Sequence, residues 1–202
     1  QRITLNNCII RPSKAVKMYH VLESWRGLAG IELLSVDGGD LRDISISNVI
    51  IDSVETPIHI KLGNRHDRVP LDAPPPAPGS LTDISLQHIR IRDAGPVSSV
   101  ITGYPGHPVR RVRFHDITVQ AEGGGTEDDA RLQVPEYAAG YPMNRMYGVN
   151  LPSFGFYLRH LTDVSFNNID FSLLSADTRP AVVLQDVHSA VFTGIGSNPN
   201  GQ

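Results

Sequence analysis

The sequence has very little of what defines several other protein classes. Its 202 residues include one cysteine, Cys8, which excludes an intrachain disulfide and a cysteine-cluster metal site. No apolar window reaches the roughly 18 residues of a membrane span, so we expect no membrane partner. The formal net charge of −3 gives no basic field for a phosphate backbone, which argues against nucleic acid.

Two further absences concern cofactors and targeting. The glycine run at 123–125 lacks the strand–helix context of a phosphate-binding loop, and we expect no cofactor. The sequence starts at Gln1 with neither methionine nor signal peptide. We therefore expect a processed, trimmed or partial chain.

What the sequence does contain is an internal repeat. An apolar-x-apolar-x-x-apolar-x-apolar pattern with a polar pair in its middle occurs four times, and a shortened copy opens the chain. The copies occupy residues 3–10, 41–51, 81–91, 109–119 and 161–171. Two short alternating runs joined by a polar bend predict two strands that meet at a corner. Five copies of one corner indicate a solenoid.

The spacing of the copies predicts a single right-handed parallel β-helix domain over residues 1–202. The aligned cores are separated by 41, 40, 28 and 52 residues, so loops of unequal length must leave the coil. Interior side chains should include Ile46, Ile60, Leu86, Phe114 and Phe166. The polar bends should stack as a ladder of Asn7, Asn48, His88, Asp116 and Asn168. A β-sandwich is the alternative, although it would not explain aligned repeats.

A second class of strand lies between the corners. These strands are predicted at 30–34, 57–62, 98–102, 154–159 and 180–185. The proline-rich insertion at 63–80 and the glycine- and tyrosine-rich insertion at 121–154 cannot continue a sheet. The segment 12–25 has mixed periodicity, and a short helix or irregular coil is expected there. Long loops on one side of a rigid scaffold commonly hold the functional site.

Several motifs resemble the C-terminal half of bacterial glycoside hydrolase family 28, the polygalacturonase-like enzymes. They cover most of residues 25–186. The early motifs are 25–39 (WRGLAGIELLSVDGG), 43–48 (DISISN), 56–65 (TPIHIKLGNR) and 101–108 (ITGYPGHP). The more specific late motifs are 134–137 (VPEY), 141–144 (YPMN), 147–160 (YGVNLPSFGFYLRH) and 178–186 (TRPAVVLQD).

The resemblance implies a right-handed β-helix, inverting hydrolysis of pectic polysaccharide, and an extracellular or periplasmic location. It also implies catalytic aspartates in an Asn-Thr-Asp motif and an Asp-Asp pair, followed by Gly-His-Gly, and none of these motifs is present. The family's Arg-Ile-Lys motif, which grips a substrate carboxylate, has its nearest match at Ala15-Val16-Lys17 and loses the arginine there. The chain is therefore either a piece of such an enzyme or carries a rebuilt site.

Inverting hydrolysis needs one carboxylic acid and one carboxylate with a water between them. Glu32 is predicted to point outward from its strand, and Asp37 lies in a glycine-freed turn, so these two are the candidate catalytic pair. Glu55 and Glu136 are weaker candidates. Each of these carboxylates also has an ordinary interpretation, as a turn cap or a solvated charge.

A basic and aromatic outer face would suit an acidic sugar chain. Strand alternation predicts that four candidate substrate-binding side chains point outward: His59, Lys61, Tyr157 and Arg159. Three further candidates complete the group: Arg65, His107 and His160. An ordinary charged surface with weak ion pairs is the alternative. The acidic run Glu127, Asp128 and Asp129 matches no EF-hand spacing, and we expect no metal.

Three functions stay open from the sequence. The first is a hydrolase of pectin-like or other acidic polysaccharide. The second is a non-catalytic carbohydrate-binding β-helix. The third is a structural or oligomerising β-helix. The open first coil, with apolar side chains at its end, also favours a homo-oligomer or a missing preceding segment.

Overall fold

The structure, a computed structural model, describes residues 2–12, 26–65 and 77–198. The expected short helix or coil at 12–25, Lys17 and most of the proline-rich insertion therefore lie outside the described residues. The described elements are β1 (Ile3–Ile10), β2 (Gly27–Ser35), β3 (Asp40–Asp52), β4 (Val54–Leu62), β5 (Ser80–Ala94), β6 (Ser99–Thr102), β7 (Val109–Ala121), α1 (Glu127–Ala130), β8 (Phe156–Leu173) and β9 (Val182–Asn198).

The protein is nearly all β, and the pairing between its strands is parallel. One sheet runs in the order β1-β3-β5-β7-β8-β6-β4-β2, and β9 pairs with β8. The predicted all-β, parallel architecture is confirmed, and the sandwich alternative, which needs antiparallel sheets, is wrong. Two isolated antiparallel bridges, Asp37 with Asn64 and Tyr104 with His107, lie in turns outside the strands.

The strands form two ladders that meet in β8. The corner ladder contains β1, β3, β5, β7 and the second part of β8, residues 161–173. The side ladder contains β2, β4, β6 and the first part of β8, residues 156–159. β9 follows both parts of β8. The two ladders correspond to the two strand classes of the sequence.

The predicted alignment of the repeats is the observed register. Ile3 pairs with Ile44, Ile44 with Ile84, Ile84 with Val112, and Val112 with Val164. A sixth copy, which the sequence pattern did not reveal, follows in β9, where Ala190 pairs with Val164. Small and glycine residues in this last copy obscure its alternation.

The polar bends adopt left-handed backbone. φ lies between 51° and 58° at the five predicted ladder positions, Asn7, Asn48, His88, Asp116 and Asn168. Asn, Asp and His are the non-glycine residues that tolerate this region best, which explains their recurrence at the corner. The sixth copy has glycine there, at Gly194. A second left-handed row, which the sequence did not predict, precedes the corners in β3, β5, β7, β8 and β9: Asp43, Asp83, Arg111, Asp163 and Ser189.

The interior is apolar and continuous between the ladders. Each predicted interior side chain is at most 3% exposed, which confirms the inward phase: Ile46, Ile60, Leu86, Phe114 and Phe166. Phe114 stacks on Phe166 with ring centroids 4.6 Å apart, and Phe166 stacks on Phe192 at 5.0 Å. Aromatic rings therefore also follow the register of the ladder.

The long insertion packs back onto the sheet. We call residues 122–155, between β7 and β8, the cover segment. Its one turn of helix, α1, begins at a capping box between Thr126 and Asp129, so the acidic run caps this helix rather than standing free. No helix in the described ranges is long and apolar enough to cross a membrane.

Candidate functional site

The side ladder brings five of the predicted site residues onto one outward face. Glu32 pairs with His59, and the same row continues through Val100 to Tyr157. The next outward row runs from Lys61 through Thr102 to Arg159. Within each row, neighbouring strands lie about 4.8 Å apart, so the basic and aromatic groups of the two rows share one surface.

The cover segment buries most of this face. His59 is 0% exposed, and Lys61, Tyr157 and Arg159 are 1% exposed. Our expectation that they lie open to solvent is wrong, because strand alternation gives the direction of a side chain but not what packs over it. Only Glu32, at the β2 edge, keeps a side chain that is 40% exposed.

Lys61 is held under the cover by an aromatic side chain. Its Nζ donates to the Tyr147 hydroxyl at 3.0 Å and lies 5.4 Å from that ring's centroid. The Tyr147 hydroxyl also lies 2.8 Å from Thr102 Oγ1. Burial, together with the nearby Arg159 cation, lowers the pKa of Lys61 to about 8. The ammonium is therefore mainly charged at neutral pH, with no ion pair to Lys61 among the residues that the structure describes.

Arg159 fastens the cover to the ladder. Its guanidinium donates to the carbonyl oxygens of Val134 at 2.6 Å and Pro135 at 2.8 Å. Its Nε lies 3.5 Å from the Glu136 carboxylate, and the group stands 5.7 Å from the rings of Tyr147 and Tyr157. Burial raises the pKa of Tyr157 to about 12, so this phenol stays neutral. The sequence predicted Arg159 as a substrate-binding residue but did not predict its hydrogen bonds to backbone carbonyl groups.

The two candidate catalytic carboxylates have separate partners. Glu32 Oε1 lies 3.0 Å from His59 Nδ1. Asp37 accepts two bonds from Arg65, at 3.2 Å from Nε and 2.5 Å from Nη2. The bidentate ion pair occupies both oxygens of Asp37 and ties Arg65 to the turn after β2. Neither carboxylate contacts the other through any described bond.

A chain of alternating acids and histidines crosses the edge of the cover. Glu136 lies 3.1 Å from His160 Nε2, and His160 Nδ1 lies 2.5 Å from Asp186. Asp186 also lies 3.0 Å from His188. These bonds hold the pKa of the Asp186 carboxyl below its usual value, the bond to His160 being the main cause. His160 thus joins the cover to β9 instead of standing in an open cleft.

Two exposed tyrosines lie at the outer surface of this region. Tyr137 is 50% exposed and Tyr141 is 70% exposed. The Tyr137 ring lies 6.2 Å from Tyr147, the ring that contacts Lys61, and Tyr141 lies 5.4 Å from the Arg65 guanidinium. We call Tyr137 and Tyr141 the tyrosine platform. The sequence signal for it was the tyrosine-rich composition of the long insertion, but neither tyrosine is among the predicted site residues.

The remaining candidates lie elsewhere. His107 is exposed in the turn between β6 and β7, where its ring lies 5.8 Å from Tyr104. Glu55 is 1% exposed and pairs with Arg145 of the cover at 3.1 Å, which makes it an anchor of that segment. Within the described ranges, no group of His, Cys, Asp and Glu has an arrangement suited to a metal ion.

Comparison of the chain with family models, with curated proteins and with solved structures finds no match. Any function must accordingly be argued from the motifs and from the geometry above.

Proposed function

We propose that this protein binds an acidic polysaccharide on the tyrosine platform. The observation that carries this proposal is the position of two exposed aromatic rings next to buried and partly buried cations. Tyr137 lies beside Tyr147, the ring that contacts both Lys61 and Arg159, and Tyr141 lies against Arg65. A sugar ring can pack on an aromatic face, while a uronate carboxylate is attracted by cations that low-dielectric surroundings screen poorly.

The rigid support favours binding as well. The platform rests on a cover that is fixed to the sheet by Arg159, by the Glu55–Arg145 pair and by Asn144 Nδ2, which donates to the Leu28 carbonyl oxygen at 2.9 Å. A surface held in place before binding loses less conformational entropy when a ligand arrives. Such a surface fits an extended polymer better than a deep small-molecule pocket would.

Affinity measurements with polygalacturonate test this proposal. The double substitution Tyr137→Ala and Tyr141→Ala should weaken binding by about tenfold or more, and added salt should weaken wild-type binding. Leu132→Ala is the matched control, because Leu132 is also an exposed cover residue, at 42%. Absence of binding, or binding that the double substitution leaves unchanged, would contradict the platform assignment.

Hydrolysis of the same polymer is the second candidate function. The observation that favours it is the contact between the half-exposed Glu32 carboxylate and buried His59, whose Nε2 has no hydrogen-bond partner in the described part of the chain. A carboxyl beside an imidazole can exchange a proton with a leaving group. Asp37, held by Arg65, would have to leave its ion pair to act as the partner base.

Reducing-end release from polygalacturonate separates the two functions. A hydrolase should lose activity in Glu32→Gln and in Asp37→Asn while keeping its affinity for the polymer. Binding by the wild type with no release of reducing ends leaves the non-catalytic carbohydrate-binding function. Activity that survives both substitutions would remove Glu32 and Asp37 as the catalytic pair.

We also propose that the two ladders are sides of one right-handed parallel β-helix. Parallel pairing in register, repeats 41, 40, 28, 52 and 26 residues apart, and strands that alternate between the ladders all support this arrangement. An experimental structure in which the connections turn left-handed would refute it.

Location and assembly follow from the same proposals. A polysaccharide ligand favours an extracellular or periplasmic location, which fractionation of the source cells tests. A homo-oligomer formed through a terminal strand is favoured by exposed apolar residues on β9, among them Val191 at 58% and Ile195 at 41%. The mass of the protein in solution tests this second point.

A further inference from the structure

A groove on the corner ladder lies apart from the tyrosine platform. It consists of two adjoining cavities of about 520 and 220 Å³ on the outer side of β5, β7, β8 and β9. Thr118 and Asp170 line both cavities, so the space is continuous. At about 4.8 Å per strand, four adjacent strands give a trough about 14 Å long across the ladder.

The floor of the groove carries polar side chains in register. Arg90 pairs with Thr118, and Thr118 pairs with Asp170. Gln120 pairs with Ser172 in the next outward row. The first of these rows ends at Gly196 of β9, which pairs with Asp170 and has no side chain.

The polar side chains in the middle of the groove differ from their neighbours in having no mutual bonds. Elsewhere on this ladder, polar groups are paired across strands, as in Arg111 with Asp83 at 2.5 Å and Arg113 with Asp163 at 2.9 Å. Within the described ranges, the groove residues Arg90, Thr118, Gln120, Asp170 and Ser172 form no side-chain hydrogen bond or ion pair. Other lining residues do: Arg92 pairs with Asp52, and Asp116 bonds to Asn168 and His88. Their donors and acceptors are therefore available to a ligand.

The glycine in β9 makes room for the Asp170 carboxylate at one end of the groove. A Cβ atom at Gly196 would lie 2.2 Å from Asp170 Oδ1, so the carboxylate occupies space that only glycine leaves. The Asp170 carboxylate lies directly over the backbone of the last strand as a result. A larger residue at position 196 would displace it.

We propose that this groove binds a neutral oligosaccharide. Sugar hydroxyls both donate and accept, and the groove offers a carboxylate acceptor, a guanidinium donor, an amide and two hydroxyls within one trough. A polymer carrying one charge per unit fits less well, because Arg90 would attract an anionic chain at one position and Asp170 would repel it at another. This ligand class differs from the acidic polymer proposed for the tyrosine platform.

The alternative ligand is an acidic oligosaccharide, and a matched pair of probes distinguishes the two. Calorimetric titrations with tetrasaccharides of galactose, xylose and glucose should show binding of at least one of them by the wild-type protein. Tetragalacturonate should not compete for that site. Competition by tetragalacturonate at equal concentration, or binding of none of the three neutral probes, would overturn the proposal.

Substitutions in the full chain test whether the neutral oligosaccharide binds in the groove. Thr118→Tyr fills the trough at an exposed strand position that accepts an aromatic residue, and Asp170→Leu removes the acceptor; each should weaken binding by about tenfold or more. Thr193→Tyr is the control, because it adds the same side chain at an exposed position of the same ladder outside the groove. Far-ultraviolet circular dichroism and thermal midpoints verify that each variant is folded.

The binding proposals for the tyrosine platform and for the groove can be refuted independently of each other. The Tyr137→Ala and Tyr141→Ala double substitution should leave binding of the neutral probe unchanged, and Thr118→Tyr should leave polygalacturonate binding unchanged. Neutral-probe binding that persists in both Thr118→Tyr and Asp170→Leu would place the site elsewhere and refute this inference.

Discussion

Single residues in this protein illustrate how burial alters chemistry that local sequence cannot reveal. Lys61 and Tyr157 occupy outward positions of their strands, yet both are 1% exposed under the cover segment. Removal from water favours the neutral form of each side chain. It therefore lowers the pKa of Lys61 and raises the pKa of Tyr157. The same burial keeps the Lys61 charge close below the tyrosine platform.

Replacing Lys61 with methionine should change how stability depends on pH. The folded-state pKa of about 8 lies below the ordinary 10.5, so between these values the unfolded chain binds a proton that the folded chain has lost. The wild-type free energy of unfolding should therefore rise by roughly 2–3 kcal/mol from pH 8 to pH 10.5, relative to Lys61→Met. Chemical denaturation of both proteins across this range measures the difference, and parallel curves would contradict it.

At the scale of elements, the cover segment is fastened by a few polar contacts to a sheet that is regular without it. Arg159 holds residues 134–136 through carbonyl oxygens, and Arg179, only 4% exposed, bonds to the carbonyl oxygens of Pro96 and Leu151. Arg179 is itself paired with buried Asp177 at 2.7 Å. Because each arginine is buried with its acceptors, its removal leaves carbonyl groups without donors.

The substitution Arg159→Met should loosen the cover while the ladders stay intact. Loss of its donors to Val134 and Pro135 should raise amide hydrogen exchange in residues 134–138, with little change in β5 and β7. Mass-spectrometric hydrogen exchange measures both regions. Arg131→Met is the control, since the Arg131 ion pair with Glu127 is 70% exposed and should contribute little. Equal exchange in the two variants would show that Arg159 does not anchor the cover.

The whole molecule depends on one apolar interior that every strand of the corner ladder enters in register. Leu86 contributes to it at 0% exposure, between Ile46 of β3 and Phe114 of β7. Interior side chains stack directly over one another, so a cavity in one layer removes contacts from the layers on both sides.

Truncating one interior side chain should therefore be costly. Leu86→Ala should lower the free energy of unfolding by about 2–5 kcal/mol, whereas Leu174→Ala, which removes the same atoms at a residue 56% exposed, should change it by less than about 1 kcal/mol. Equilibrium denaturation of the two variants gives the comparison. Similar costs for both would mean that the interior assignment is wrong.

Sequence reasoning succeeded where a residue's role depends on its near neighbours. Alternation placed Ile46 and Phe114 inside, and the repeated polar pair located corners such as Asn48 and Asp116, whose left-handed backbone those residue types tolerate. It failed for the second left-handed row and for the sixth copy in β9. Arg111 and Ser189 are not typical of that conformation, and Gly194 and Gly196 interrupt the apolar alternation.

For the candidate site, the sequence by itself determined that Glu32, His59, Lys61, Tyr157 and Arg159 share one face, because residues two apart on a strand point to the same side and the register aligns the strands. Only the tertiary structure decided that most of this face is closed. The cover segment joins β7 to β8 and has no strand period of its own, so where it packs is fixed by long-range contacts such as those of Glu55 and Arg159. These contacts convert an outward basic face into a buried one and leave the tyrosines above it exposed.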